Sequence, residues 1–486
     1  MPTLRYSDID FGYASAEKES AEAPDLLVKG FFDLDGIREK LAGGSPFLCL
    51  GYKGSGKSAI AEHFRLTADA DTHSFVRRLY LADFPFTDFG QIMRGSQDVK
   101  ARYPATWAWL LLLQVIDSLA RDAAASSLDA QSFDRTLKLL RDMGFLPTPA
   151  LHEIVLKSRD RNFRMGLGKV MEGGVKGSYA ATGDVNFLTL VDILRNITQG
   201  VRSENSHLLL LDGLDDILLR EPVQYETLAA LVTETDRLNS AFRDAGAPVK
   251  IIVLCRTDIY NRLPGPNLNK VRRDSAIELD WYSDPKHPER STLVKLANAK
   301  GRVSDSRLTD IFGAFFPSHL LTKANRIPIQ RFLLERTRHV PRDFLQLLKF
   351  IQEAGRLHKG RLTEEMVRAG ARQYSQRYFI SEIRDELAGH LDQAQRDSAF
   401  ETLGRLSSSR FTLNDFENLS KGAAVEFDPM EFLKDLYDCG AIGTQESGYL
   451  TFRYRNPHVP FNPRDRILLH RALAPALNVP VFAARS

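Results

Sequence analysis

The segment Gly51-Tyr52-Lys53-Gly54-Ser55-Gly56-Lys57-Ser58 has glycine at its first and sixth positions and closes on Lys-Ser. Small residues let a backbone wrap a chain of phosphates with successive N–H groups turned inward. A helix beginning at the end of such a loop adds its positive dipole end to the same site. In that pattern Lys57 reaches the β- and γ-phosphates and the Ser58 hydroxyl ligates Mg²⁺. With Ala59, the next residue, the expected nucleotide-binding set is Gly51, Tyr52, Lys53, Gly54, Ser55, Gly56, Lys57, Ser58 and Ala59. The chemistry this implies is binding of ATP together with Mg²⁺.

Three further clusters fit the same chemistry. In Leu208-Leu209-Leu210-Leu211-Asp212-Gly213-Leu214-Asp215-Asp216, four aliphatics form a buried strand and Asp212 emerges at its carboxyl end. Open α/β sheets bind ligands at that edge, and a carboxylate there holds Mg²⁺ directly or through water. Asp215 or Asp216 then serves as general base for an attacking water, or caps the following helix. The run Ile251-Ile252-Val253-Leu254-Cys255-Arg256-Thr257-Asp258 is a second buried strand with polar residues at the same edge. Arg256 or Thr257 senses the γ-phosphate or positions the water there, or else Arg256 forms a structural salt bridge. In Arg338-His339-Val340-Pro341-Arg342-Asp343, Arg342 opens a helix from Phe344 to Ile351. It is either a lid arginine that reaches the γ-phosphate or a solvated helix-end residue, and Arg338 and Arg336 are the next candidates for the lid role.

These residues need a scaffold, and the hydrophobic pattern outlines one. Pro46 to Leu50 reads as a short strand before the glycine loop, and Ala59 to Phe64 continues as a helix. Other buried-strand candidates are Arg78 to Ala82, Leu208 to Leu211, Lys250 to Leu254 and Ala276 to Leu279, separated by helices such as Phe187 to Ile197 and Tyr225 to Phe242. Strands alternating with helices predict a mostly parallel sheet covered on both faces. The fold class expected is therefore α/β, a parallel-sheet P-loop NTPase core.

An insertion over about 90–190 interrupts this core, with helices from Trp107 to Leu119 and from Ser132 to Met143 and a glycine-rich stretch from Met165 to Gly177. That stretch is not a second phosphate loop, because Phe163 stands where the first glycine is required. A hairpin or flexible insertion is expected instead. The domains expected are a polar lead-in over 1–30, mobile at its start, the NTPase domain over 31–288, a helical lid over 289–380 with Pro341 as its main interruption, and a winged-helix-like domain over 381–486. The last reads as helix, short strand, helix, helix and a hairpin from Ala441 to Tyr454.

Composition narrows the class. At 486 residues the chain is too long for one core, and about two to four domains are expected. Charge is nearly balanced at +3, which argues against a chain that binds nucleic acid along its whole surface. Cys49, Cys255 and Cys439 lie far apart without metal spacing. The apolar run from Trp107 to Ile116 is too short to span a bilayer, and Met1 to Asp10 has no apolar signal core. A soluble cytoplasmic protein with no membrane partner is expected.

Together the motifs resemble the additional-strand P-loop ATPases, among them AAA+ proteins and the signal-transducing STAND class. Leu209 to Asp216 is similar to the Walker B segment of NACHT-type STAND proteins, which usually end in Glu where this chain has Asp216. The Arg256 strand resembles their sensor-one region. The Pro341-Arg342-Asp343 helix followed by a winged-helix-like module is similar to the lid arrangement of STAND and origin-recognition-type ATPases. The resemblance implies an ATP-driven switch acting with protein partners or by self-association, with bacterial defence as one setting. The alternative is a DNA-associated loader or remodeller of the AAA+ or origin-recognition type, and a small-molecule kinase on the same loop is a third reading. The expected recognition helix, Pro429 to Tyr437, is flanked and lined by Asp428, Glu431, Asp435 and Asp438 against Lys434. Acid opposes phosphate contact, so structural support or protein docking is expected of that helix. Arg453, Arg455, Arg464, Arg466 and Arg471 leave DNA contact open through another face.

Overall fold

The computed structural model describes residues 4–81, 84–89, 92, 99–159, 183–214, 222–283, 286–321, 325–446 and 448–481. They form two compact units, one of Asp35–Tyr52 with Lys57–Leu279, the other of Met1–Leu34 with Lys53–Gly56 and Asp280–Ser486. The glycine-rich stretch from Met165 to Gly177 lies outside the described residues, as do Asp215 and Asp216.

The first unit is built on a parallel sheet. Its strands are β1 (Leu48–Gly51), β2 (Ser74–Tyr80), β5 (Ser206–Asp212), β6 (Val249–Arg256) and β7 (Ala276–Glu278), while β3 (Ser126–Ser127) and β4 (Val201–Arg202) form a separate two-residue pair. The sheet order is β2-β5-β6-β1-β7, and every neighbouring pair is parallel. Leu208–Asp212 and Ile251–Cys255 are buried without alternation, as expected of strands covered on both faces.

β2 departs from the expected Arg78 to Ala82, because it begins at Ser74. It is one of the two edge strands of the sheet. Its half-buried residues include Arg77 and Arg78, so its first half shows no apolar run. The helix Val99–Leu119 starts a full two turns before Trp107 and contains Pro104. Its apolar surface packs into the core beside the helices Pro222–Ala245 and Gly183–Gln199, and Trp107 Nε1 donates to the Thr227 carbonyl at 2.8 Å. Among the described residues, no helix is long and apolar enough to cross a membrane.

In the second unit the described part of the N-terminal segment, from Leu4 on, is packed against the rest of the unit. Tyr6, Ile9 and Phe11 are buried, Tyr6 Oη donates to the Leu348 carbonyl at 3.0 Å, and Glu19 pairs with Lys300. Three apolar anchors in an otherwise polar stretch give no periodicity to read. The helical region runs through Thr292–Ser304, Ile311–Phe315, Ile329–Leu334, Pro341–Ala354 and Glu364–Tyr374. Pro341 interrupts nothing, because it is the first residue of its helix, where its missing N–H costs no hydrogen bond. An unexpected hairpin, β8 (His319–Leu321) with β9 (Arg326–Pro328), lies between helices. The helix Glu364–Tyr374 passes through a π-helical turn, Ser375–Phe379, into Ile380–Glu386.

The C-terminal portion follows the expected order as far as the hairpin, with helices Gln393–Gly404, Leu413–Ser420 and Pro429–Asp438, and adds a strand after the hairpin that was not expected. Its strands are β10 (Arg410–Phe411), β11 (Ile442–Glu446), β12 (Tyr449–Phe452) and β13 (Arg466–Leu469), in the antiparallel order β10-β13-β11-β12. The acidic residues around Pro429–Asp438 have local roles. Asp428 caps the helix through Met430 N and Glu431 N at 2.8 and 3.1 Å, Glu431 pairs with Lys434, and Asp438 with Arg453.

A buried ion network ties this unit together. Arg338 donates from Nε to Asp343 Oδ2 at 2.8 Å, from Nη2 to Oδ1 at 3.0 Å, and from Nη1 to Glu386 Oε1 at 2.5 Å. Burial alone would raise the Asp343 pKa, but Arg338 outweighs it and holds the carboxyl below its ordinary value. Removing one member strands the other charge, so Asp343→Ala is expected to cost about 3–5 kcal/mol in thermal unfolding. The pair's contribution is present above the unfolded Asp pKa of about 3.9 and lost as pH falls through the lower folded value. Wild-type stability should therefore fall more steeply than that of Asp343→Ala as the medium is acidified through that range. Equal stability of the two proteins at neutral pH would refute the role of the pair.

Candidate nucleotide site

The glycine loop leaves β1 at Gly51 and enters the helix Lys57–Ala68. Gly54 and Gly56 have φ of +79° and +99°, conformations that L side chains rarely adopt. Lys57 is 3% exposed, and its Nζ donates to the Gly51 and Tyr52 carbonyls, both at 3.2 Å. Among the described residues, Ser55 Oγ is buried with no hydrogen-bond partner. Ser58 and Ala59 occupy the first turn of the helix. A buried ammonium on the carbonyls that open the loop, and left-handed glycines within the loop, each suit a chain of phosphates.

In the second unit, the Lys53–Gly56 part of this loop is held from outside. Trp281 Nε1 donates to the Ser55 carbonyl at 2.8 Å, and Arg342 N donates to the Gly54 carbonyl at 3.2 Å. A Cβ on Gly54 would come within 3.0 Å of Arg342 Cβ. Glu382 Oε2 lies 3.5 Å from Lys53 Nζ and 3.8 Å from an Arg342 guanidinium nitrogen. Arg342 is thus the second residue of the helix Pro341–Ala354, with its backbone on the loop and its side chain toward Glu382. Arg338 is committed to Asp343 and Glu386, which removes it as a reserve lid arginine.

Asp212 ends β5, separated from β1 by β6. The register pairs Tyr80 with Asp212 and Gly51 with Arg256, so the loop, Asp212 and Arg256 share the carboxyl edge of the sheet. Asp212 is 1% exposed. Its Oδ2 accepts from Arg78 Nη2 and Nε at 2.5 and 3.1 Å, and its Oδ1 from Gly213 N at 2.8 Å. Arg78 also bonds Glu62 of the loop helix. The chain Asp212–Arg78–Glu62 was not read from the sequence. An arginine inside an edge strand was its only signal. Gly213 has φ +81°, and a Cβ there would meet the Tyr80 ring at 2.6 Å, so this turn needs glycine.

Arg256 is engaged by Asp258 through two hydrogen bonds, Nε to Oδ1 at 2.9 Å and Nη2 to Oδ2 at 2.7 Å. The geometry shows the salt bridge that was one of its two expected roles. Burial would raise the Asp258 pKa, but Arg256 outweighs it and Lys57 adds a smaller share, holding the carboxyl low. Asp258 is therefore an acidic neighbour of Lys57 that the motif reading passed over. Thr257 is buried at the start of the short helix Thr257–Tyr260. Among the described residues, no group of three or more His, Cys, Asp or Glu could hold a metal alone. Ser58 and Asp212 would share Mg²⁺ with phosphate oxygens and water, the usual habit of that ion.

The parallel sheet with β6 inserted between the glycine-loop strand and the Asp212 strand is the additional-strand arrangement of P-loop NTPases. Residues 291–381 match the family model of the FunZ-associated C-terminal helical domain. Among solved structures, the chain is similar to the Aeropyrum pernix Orc1 protein in complex with DNA, at 12% identity and TM-score 0.37, covering 94% of this chain and 92% of that one. It is similar to Cdc6p from Pyrobaculum aerophilum at 12% identity and TM-score 0.34, with 98% and 99% covered. The Thermotoga maritima RuvB Holliday junction branch migration motor follows at 12% identity and TM-score 0.28, with 90% and 94% covered. No curated protein matches the sequence.

Arg78 and a divalent cation would compete for the same carboxylate. Arg78→Met leaves Asp212 buried without its counter-ion and should lower stability by about 3–5 kcal/mol. Mg²⁺ with ATP should then raise the melting temperature of the variant by more than that of wild type. An equal or smaller gain in the variant would separate Arg78 from the metal site.

Proposed function

We propose that this chain binds ATP and Mg²⁺ on Gly51 to Ala59, hydrolyses the nucleotide, and uses it as a switch within a multi-protein complex in the cytoplasm. The observation that carries this reading is the glycine loop itself, with its buried Lys57, its left-handed Gly54 and Gly56, and the unsatisfied Ser55 hydroxyl. On nucleotide binding, Lys57 would exchange the Gly51 and Tyr52 carbonyls for β- and γ-phosphate oxygens. Ser58 and Asp212 would hold Mg²⁺, which supplies charge neutralisation at the transferred phosphoryl group. Arg78 already has Glu62 as an alternative partner, so it can yield Asp212 to the metal. Asp215 or Asp216 would accept the proton of the attacking water, and Arg256 would report the γ-phosphate once released from Asp258.

We take 289–380 as the lid and 381–486 as the module that responds to it. The support is the hydrogen bond from Arg342 N to Gly54, which lets the helix Pro341–Ala354 follow the shape of the loop. A switch requires a ligand that favours one of two conformations. Bacterial defence is the setting suggested by the resemblance to STAND ATPases.

Lys57→Ala should weaken fluorescent-nucleotide binding on the order of 10- to 100-fold, the loss of charge-assisted hydrogen bonds worth about 1.5–3 kcal/mol. Asp212→Asn should keep most of that binding and lose Mg²⁺-dependent turnover. Unchanged affinity in a folded Lys57→Ala protein would remove the site. Wild-type turnover in Asp212→Asn would move hydrolysis elsewhere.

Coupling is tested separately with Arg342→Ala. In wild type, ATP and ADP should give different protease cleavage patterns over residues 380–486, and in the variant the difference should vanish while ADP affinity stays. Identical wild-type patterns with both nucleotides would end the lid proposal.

A further inference from the structure

A cluster of arginines in the second unit has more positive charge than its carboxylates balance. Arg331 and Arg336 project from the segment around the helix Ile329–Leu334, Arg368 from the helix Glu364–Tyr374, and Arg471 from the turn after β13. Glu335 is shared, its Oε1 2.9 Å from Arg331 Nε and its Oε2 2.7 Å from Arg471 Nη1. Arg368 has a longer contact with Glu364, at 3.5 Å. Arg336 has no carboxylate partner among the described residues. Its Nη1 donates to the Phe332 carbonyl at 3.0 Å, and its guanidinium lies 3.5 Å from the centre of the Phe332 ring. Arg368 lies 5.7 Å from the same ring centre.

Four guanidiniums thus face two carboxylates. Burial, with Arg471 and Arg368 beside it and Glu335 opposing, pushes the Arg336 pKa down to about 9. An arginine side chain stays protonated at neutral pH, so the cluster is held at a cost that an added anion would relieve.

The exposure pattern indicates the kind of anion. The side chains of Arg331, Arg368 and Arg471 are 43%, 38% and 52% exposed. An open site holds a single small anion weakly, since exposed ion pairs are worth little. A polyanion engages several such cations at once and gains from the counterions it releases. The acidic residues on and around the helix Pro429–Asp438 oppose such a ligand there, whereas this cluster attracts it.

We infer that Arg336, Arg368 and Arg471 form a contact site for the phosphodiester backbone of a nucleic acid, read by charge and independent of base sequence. The inference does not depend on the nucleotide reading, because the cluster lies outside the glycine loop and its ligand is a polymer.

The test uses the full chain without ATP and a fluorescein-labelled oligonucleotide, single-stranded and duplex, followed by anisotropy across a salt series. Arg368→Gln with Arg471→Gln should weaken binding about tenfold or more at low salt and reduce the slope of log affinity against log salt by about two, the loss of two phosphate contacts. Each single variant should give about half that slope change, so the result survives even if the double variant folds poorly. Lys434→Gln, on the acidic helix, should bind as wild type does. The inference is overturned if wild type binds neither oligonucleotide at low salt, if the arginine variants bind as wild type does, or if Lys434→Gln loses as much as they do. It is also overturned if inorganic phosphate stabilises wild type but not the variants while no oligonucleotide binds.

Discussion

Parallel hydrogen bonding of β1 to β6 on one side and β7 on the other fixes where chemistry can occur in this molecule. Parallel strands all end at the same edge, so whatever follows β1, β5 and β6 is delivered to one place. The glycine loop, Asp212 and the Arg256–Asp258 pair owe their common edge to that geometry rather than to any attraction among themselves. The inserted strand β6 sets Asp212 a full strand spacing further from the loop, about 4.8 Å. That spacing is what the proposed role of Asp212 as a metal ligand would use.

The same edge is crowded with opposite charges that satisfy one another. Lys57 rests on backbone carbonyls, Asp212 on Arg78, Arg78 on Glu62 and Arg256 on Asp258. Buried charges are expensive without partners, and these groups supply partners to one another. Each of the partners named is a side chain or carbonyl within the first unit.

Much of this was legible in the sequence, for identifiable reasons. Strands buried on both faces announce themselves as unbroken aliphatic runs, and Leu208 to Leu211 and Lys250 to Leu254 were read to within a few residues of their ends. The glycine loop was legible because its spacing answers to a ligand rather than to packing. β2 was expected to start at Arg78 rather than Ser74, because an edge strand with two arginines lacks the apolar signature, and nothing in the pattern linked Arg78 to Asp212. Arg338 read as a lid candidate because sequence shows a charge but not the buried Asp343 and Glu386 that consume it. The packing of Tyr6 and Ile9 was hidden because their hydrogen-bond partners lie hundreds of residues away.

The π-helical turn at Ser375–Phe379 sets the rotational phase of everything after it in that helix. An α-helix advances about 100° per residue, and a wider turn accommodates one extra residue without breaking the rod. Glu382 faces Lys53 and Arg342, and Glu386 faces Arg338, only because that residue is present. Were the turn to tighten into regular α-helix by looping one residue out, both carboxylates would swing about a quarter-turn around the axis together. The wide turn thus acts as a vernier: one residue of slippage re-indexes the acid facing the glycine loop and the acid in the buried network at the same time.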